Sequence, residues 1–296
     1  PYFAEFTRRW PSVHDLAVAE LDAVLTAWAG LGYYARARNL HKCADVVSRG
    51  LGGRFPETEE ALRSLPGVGA YTAAAIAAIA FDRKATVVDG NVERVMARVF
   101  AMEEPLPGAK ARLRALADTL TPDARPGDYA QAVMDLGATV CTPRNPKCIL
   151  CPWQEPCAAR RLGIADELPR KTARGDKPTR FGTAFWLTDG RGAVWLRRRP
   201  EAGLLGGMME VPSTEWSETG RGPLTSAAPL DIGWRPLPGV VRHTFSHFHL
   251  ELEVVSGKAG DGWRGSDGVW VDLGRLGEVA LPTVMRKVVA HALARM

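Results

Sequence analysis

The chain has 296 residues, 46% of them hydrophobic and 24% charged, with a formal net charge of +5 and five cysteines. That length favours two domains, and the apolar content lets each bury its own core. No apolar run reaches the roughly 18 residues a membrane span requires, and the charged opening stretch PYFAEFTRRW lacks the pattern of a secretory signal; the expectation is a soluble cytoplasmic protein, whose positive balance permits nucleic-acid binding without demonstrating it.

In chain order, residues 1–160 read as short helices separated by Gly and Pro. LAVAELDAVLTAWAGLG, ALRSL, YTAAAIAAIAF, NVERVMARVFAM, AKARLRALADTL and DYAQAVMDLGATVC all space apolar residues by three and four. Within this all-α stretch, Leu65 to Val92 reads LPGVGAYTAAAIAAIAFDRKATVVDGNV. Gly67, Val68 and Gly69 sit between two helical patterns, where uncovered backbone N–H groups and the dipole of the following helix favour an anion such as a phosphate. Asp89 falls at the N-terminus of the next helix. Taken alone, a hairpin of this type is a common helix connection, and an Asp in that place is most often only a cap.

Four of the five cysteines, Cys141, Cys148, Cys151 and Cys157, follow a C-x6-C-x2-C-x5-C spacing. In a cytosolic chain close thiols are reduced, and four thiolates suit tetrahedral zinc or an iron-sulfur cluster. Cys43 lies outside the group and reads as a buried apolar residue. Residues 161–182 are polar and basic with two prolines, as in an exposed linker. From Thr183 the pattern turns to strands, in TAFWLTD, AVWLRRRP, VRHTFSHFHLELEVVSG and DGVWVDL, and TVMRKVVAHALARM closes the chain as a helix. Residues 183–296 are therefore expected to form an α+β domain.

The hairpin LPGVGAYTA, the Asp of VDGNV some twenty residues on and the four-cysteine loop together resemble the endonuclease III superfamily of DNA glycosylases. The resemblance implies an all-α helix-hairpin-helix glycosylase domain over residues 1–160, with the hairpin at about 62–81. It also implies a [4Fe-4S] cluster held by Cys141, Cys148, Cys151 and Cys157 in a loop over 141–157, whose Arg144 and Lys147 face DNA phosphates. Asp89 takes the place of the superfamily's catalytic aspartate. Members that cleave the strand carry a lysine two residues after the last hairpin glycine, where this sequence has Tyr71. A phenol with an ordinary pKa of about 10 forms no Schiff base. Lys84, the nearest other amine, lies beyond the helix, so base removal without amine-driven strand cleavage is expected.

Two further regions are similar to one branch, the MutY-type adenine DNA glycosylases: WAGLGYYARARNLHK at residues 28–42, and VRHTFSHFHL at 241–250 together with GLLGGMMEVP at 203–212. The similarity implies a substrate of double-stranded DNA holding adenine opposite 8-oxoguanine or guanine, acted on by a monomer that meets the nucleoid through its DNA. It implies that Tyr33 wedges into the base stack, and that Phe245, Ser246 and His247 contact the lesion, with Ser246 able to donate or accept at its altered edge. His243 and His249 are expected to be structural, hydrogen-bonded histidines. The C-terminal part resembles a Nudix fold, but the R-E-x-x-E-E pattern that binds metal in Nudix hydrolases is missing after Gly206, which points to a recognition module.

Cleaving the N-glycosidic bond of a flipped-out nucleotide calls for two carboxyl groups with different tasks. Asp89 would stabilise the oxocarbenium-like sugar, Tyr71 would orient it by a hydrogen bond, and Asn91 would order water or the sugar phosphate. In the family the second carboxyl is a glutamate on a helix reading S-E-x-M-L-Q-Q-T that runs into P-Y-F. This sequence starts at Pro1-Tyr2-Phe3, and Glu5, Glu57, Glu59 and Glu60 have no matching context. General acid catalysis is worth about 10² to 10⁴ in rate, so impaired activity is expected of the chain as given; a non-catalytic binder of 8-oxoguanine mispairs, or a different superfamily glycosylase, is the alternative.

Overall fold

The computed structural model describes residues 1–173, 175–223, 227–260 and 262–296. The chain separates into two compact units, Val46–Arg174 and the combination of Pro1–Asp45 with Gly175–Met296. The units thus cut the chain at different places from residues 160 and 183, because the first 45 residues cluster with the C-terminal part.

In the unit that combines the two ends of the chain, Pro1–Asp45 supplies α1 (Tyr2–Arg9), α2 (Val13–Val18), α3 (Leu21–Trp28) and α4 (Ala35–Asp45). The single helical pattern expected over LAVAELDAVLTAWAGLG is two helices, since Ala19 and Glu20 adopt extended backbone between them. Val24, Leu25, Tyr34 and Ala37 of this segment share a buried cluster with Met208 and Ala280 from the other end of the sequence. Arg198 forms an ion pair with Asp22, and Arg38 donates to the Gly206 carbonyl.

The C-terminal portion is a mixed sheet with a closing helix: β1 (Thr179–Thr188), β2 (Ala193–Arg198), β3 (Met209–Glu210), β4 (Arg235–Thr244), β5 (His249–Lys258), β6 (Gly268–Asp272) and α11 (Thr283–Leu293). The strand order is β3-β2-β1-β5-β4, with β6 on β2; β1 and β5 run parallel and the other pairs antiparallel. Val284, Met285, Val288 and Ala292 form one stripe of α11 at helical spacing and pack on Trp186, Leu250, Leu252 and Val254 of the sheet. The run VRHTFSHFHLELEVVSG is two strands. β4 and β5 form a hairpin whose turn is closed by Phe245 N–H donating to Phe248 O at 2.9 Å.

The second unit is helical, with α5 (Glu59–Arg63), α6 (Ala70–Phe81), α7 (Gly90–Val99), α8 (Lys110–Leu120), α9 (Pro126–Thr139) and α10 (Ala158–Arg161). Each lies where three-and-four spacing places it, to within three residues, apart from α10, which falls at the end of residues 1–160 where no helical pattern was read. Val92, Val95, Met96, Leu113 and Val133 make its core. The alanines of α6 bury a small-residue face, and Gly127 of α9 approaches it so closely that a Cβ there would lie 2.5 Å from Ala78 O. The linker is shorter than residues 161–182: Ala165 and Leu168 are buried, and Leu106 exchanges backbone hydrogen bonds with Arg170 and Thr172. The prolines and basic residues of that stretch decorate a segment whose few apolar side chains anchor it.

Candidate active site

In the helical unit the hairpin turn is built by Gly67, whose φ of 75° is a conformation glycine adopts without cost. Val68 N–H donates to Leu65 O, Gly67 and Gly69 are exposed, and Gly69 is the N-cap of α6, which has no side-chain cap and no acidic residue in its first turn. The turn therefore presents uncovered amides at a positive helix end.

Asp89 caps α7. Its Oδ1 accepts from the backbone N–H groups of Asn91 and Val92, both at 2.8 Å, and its Oδ2 accepts from Asn91 Nδ2 at 3.0 Å. Asn91 is fixed in turn by Arg94, whose Nη2 donates to Asn91 Oδ1 at 2.8 Å. The same guanidinium donates to Gly137 O at 2.6 Å and to Cys141 O at 2.8 Å. Burial lowers the Arg94 pKa below its ordinary value, opposed by the negative charges of Cys141 and Asp89. α9 passes α7 so closely at this point that a Cβ on Gly137 would lie 2.7 Å from Asn91 Cβ.

Tyr71 lies near Asp89 without bonding to it. Its hydroxyl donates to Met134 Sδ at 3.6 Å, and burial, with the Asp89 charge second, raises its pKa. The carboxylate-orienting hydrogen bond expected of Tyr71 is made by Asn91 instead, and the Asn91 amide is committed to Asp89 and Arg94. Lys84 is held by Asp123 at 2.8 Å, a hydrogen bond that raises its pKa, the opposite of what a nucleophilic amine requires. Glu5, Glu57 and Glu59 are each paired with arginines.

Cys141, Cys148, Cys151 and Cys157 line one cavity together with Arg98 and Trp153. Burial raises the thiol pKa of Cys148 and of Cys151, and the neighbouring sulfurs push in the same direction. Four thiolates in this space need a cationic group among them. Among the described residues, no three His, Cys, Asp or Glu side chains meet around a single ion. Arg98, fully buried, donates to Cys141 Sγ at 3.2 Å, Thr142 O at 2.8 Å and Leu168 O at 2.9 Å. Arg144 and Lys147 of this loop are exposed, and Cys43 is buried apart from it. Arg94 and Arg98 were not anticipated; the available signal was two arginines four apart on the helix that follows Asp89, a helix with few other polar positions.

In the other unit, Tyr33, Phe245, Ser246 and His247, more than 200 residues apart in sequence, line one cleft. Tyr33 is 70% exposed and has a φ of 48°, a left-handed conformation uncommon for a non-glycine residue. Its hydroxyl stands 3.0 Å from Ser246 Oγ. Phe245 stacks on Phe248 at 4.7 Å and takes the His243 ring edge-on at 4.6 Å, which fixes the turn that carries Ser246. His243 Nδ1 is buried without a hydrogen-bond partner, and burial, with Lys287 second, lowers its pKa. His249 Nδ1 is 3.0 Å from Thr244 Oγ1. Glu210, in the GLLGGMMEVP stretch, is buried and paired with Arg197 and Arg199.

Residues 1–122 match the HhH-GPD superfamily of base excision DNA repair proteins, and residues 183–291 match the NUDIX domain. The adenine DNA glycosylase of Homo sapiens is 38% identical over 312 residues, which cover 86% of this chain and 56% of the human protein. That of Buchnera aphidicola subsp. Acyrthosiphon pisum is 32% identical over 259 residues, covering 86% of this chain and 73% of the relative. Among solved structures, a thermostable thymine-DNA glycosylase is 34% identical with a TM-score of 0.50, covering 54% of this chain and 75% of that one. The chain spans 56–60% of the length of its mammalian relatives.

Proposed function

This chain belongs to the adenine DNA glycosylase family, and from that premise we propose that it removes adenine mispaired with 8-oxoguanine or guanine in double-stranded DNA by hydrolysing the N-glycosidic bond. The observation that carries the lesion reading is the cleft in which Tyr33 and Ser246 meet. A stacking aromatic and a hydroxyl that both donates and accepts stand side by side, so one wedges the stack while the other tests the base edge.

The hydrolytic half belongs to Asp89. Three hydrogen bonds fix its carboxylate at the positive end of α7, and Oδ2, with a single partner, keeps lone pairs for the developing sugar cation. Asn91 positions that oxygen and is itself positioned by Arg94. The backbone amides of the exposed Gly67 and Gly69 grip a DNA phosphate as the flipped nucleotide is drawn in, while the Val68 N–H, already given to Leu65 O, holds the turn in shape. With Tyr71 a phenol bonded to Met134 and Lys84 held by Asp123, neither is prepared as an amine nucleophile for strand cleavage.

Cys141, Cys148, Cys151 and Cys157 are the ligands for a [4Fe-4S] cluster; soft thiolates around a common cavity fit that group. Bound there, it would offset part of the thiolate charge and hold the four cysteines together, and Arg144 and Lys147 of that loop meet DNA phosphates.

The test is base release by the full-length protein from duplexes holding A:8-oxoguanine, A:G, A:T or T:G. Adenine freed from the first two with intact strands is expected. Release of thymine in place of adenine would move the protein to another branch of the superfamily.

A further inference from the structure

We infer that Arg199, fixed by the buried carboxylate of Glu210, is a positioning residue for lesion recognition. It holds two of the segments that line the cleft of Tyr33 and Ser246, the loop between β2 and β3 and the turn between β4 and β5, and through them it sets the preference for 8-oxoguanine over guanine. The inference rests on the lesion-reading role proposed for the cleft and adds how the Ser246 turn is aimed.

Glu210 lies on β3, 2% exposed, and pairs with Arg197 in the β2–β3 ladder. Arg197 Nε donates to its Oε1 at 2.7 Å, and Arg199 Nη1 donates to its Oε2. A buried carboxylate between two guanidiniums is a poor source of net stability, because apolar side chains of the same volume usually serve as well. Its use lies in what it fixes. A guanidinium bound to a carboxylate that cannot move has its plane set, so its remaining N–H groups and its flat face point in fixed directions.

Arg199 uses both. Its Nε donates to Leu204 O at 3.1 Å, and its guanidinium lies over the Trp216 ring, 5.2 Å from the centroid. The first contact reaches the cleft directly, since Gly203, Leu204 and Leu205 line it. Leu205, next to the held carbonyl, has a φ of 57°, a left-handed conformation that a bulky residue keeps only where its surroundings impose it. The second contact reaches the lesion turn through one ring. Trp216 packs on Phe245 with centroids 5.8 Å apart, and Phe245 directly precedes Ser246. Arg197 shares the carboxylate, but its other hydrogen bond goes to Ser213 O at 3.3 Å, outside the lining of the cleft.

Affinity of the full chain is measured for duplexes holding an uncleavable adenine analogue opposite 8-oxoguanine or guanine. The ratio of the two affinities is compared among the wild type, Arg199→Lys, Arg197→Lys, Trp216→Leu and Ser246→Ala. Lysine keeps a positive charge beside Glu210, but one ammonium on a flexible stem cannot hold Glu210 and Leu204 and cover Trp216 together. Arg199→Lys is expected to lower the ratio about fivefold, less than the loss of the Ser246 hydroxyl itself, and to lower it little further in the Ser246→Ala background. Trp216→Leu leaves both ion pairs in place and should give the same loss, which keeps the test decisive should Arg199→Lys fail to fold. Arg197→Lys should keep the wild-type ratio. The positioning role is overturned if Arg199→Lys or Trp216→Leu discriminates as the wild type does, if Arg197→Lys loses as much as Arg199→Lys, or if the losses of Arg199→Lys and Ser246→Ala add in full. A wild type without preference for 8-oxoguanine, or a Ser246→Ala variant with an unaltered ratio, would instead sink the lesion-reading role and this inference with it.

Discussion

The hydroxyls of Tyr33 and Ser246 stand 3.0 Å apart, although 213 positions separate them in the chain. The helix-flanking turn that displays Tyr33 and the hairpin turn that displays Ser246 thus line one cleft, within the compact unit that joins Pro1–Asp45 to the C-terminal portion. Ser246→Ala is expected to lower discrimination of 8-oxoguanine from guanine opposite adenine by roughly tenfold, the worth of one hydrogen bond. A double-mutant cycle with Tyr33→Phe should show coupling of about 0.5 kcal/mol in duplex binding. Additive effects would mean that the two hydroxyls act separately.

The α7–α9 crossing predicts a remote lesion in catalysis. Gly137→Ala brings a methyl group to 2.7 Å from Asn91 Cβ, and neither helix backbone has slack to receive it. Overpacking of this kind costs about 1–3 kcal/mol of stability, and displacement of Asn91 frees Asp89 Oδ2. Single-turnover adenine release should fall at least tenfold while the affinity for the mispair is kept. An unchanged rate would show that Asn91 does not position the carboxylate.

A cluster in the cysteine loop would have a spectroscopic signature. The purified protein should be brown, with broad absorption in the visible, and Cys141→Ser should remove the colour and destabilise the loop clasped by Arg94 and Arg98. A colourless wild type holding one zinc per chain would replace the cluster with a mononuclear site.

Two histidines of the sheet-bearing unit set a pH dependence. Burial, aided by Lys287 at His243 and Arg295 at His291, lowers both pKa values from the ordinary 6.5. The unfolded chain therefore binds protons at a higher pH than the folded one does, so stability is complete above about pH 6.5 and is lost as pH falls from there through the lowered folded values. Thermal unfolding measured from pH 8 to pH 5 should show this decline, and His291→Phe should flatten it. A melting temperature that does not fall below pH 6.5 would contradict the assignment.

Much of the fold was legible in the sequence because its signals are local. Three-and-four spacing gave α5 to α9, alternating and clustered apolar residues gave β1, β2, β6 and the run that folds as β4 and β5 but not the two-residue β3, Gly67 marked the hairpin, and Asp89 before NVERVMARV read as a cap. What escaped depends on partners distant in the chain. Nothing in the periodicity of residues 1–45 says that Val24 and Leu25 meet Met208 and Ala280, so the grouping of those helices could not be read. Arg94 and Arg98 resemble a solvated basic face until the cysteine loop folds over them and takes their hydrogen bonds. Tyr71 was assigned to Asp89 from proximity in the motif, but Met134, on α9, receives its hydroxyl and Asn91 takes over the carboxylate.

The central claim is that Asp89 drives adenine release. Single-turnover kinetics on an A:8-oxoguanine duplex, with the full-length wild type and its Asp89→Asn variant, test it most directly. Asparagine preserves the size of the cap and removes the charge, so the variant should bind the mispair as tightly as the wild type while adenine release falls by about 10² to 10³, the scale of losing electrostatic stabilisation of the transition state. Equal rates for the two proteins would contradict the claim.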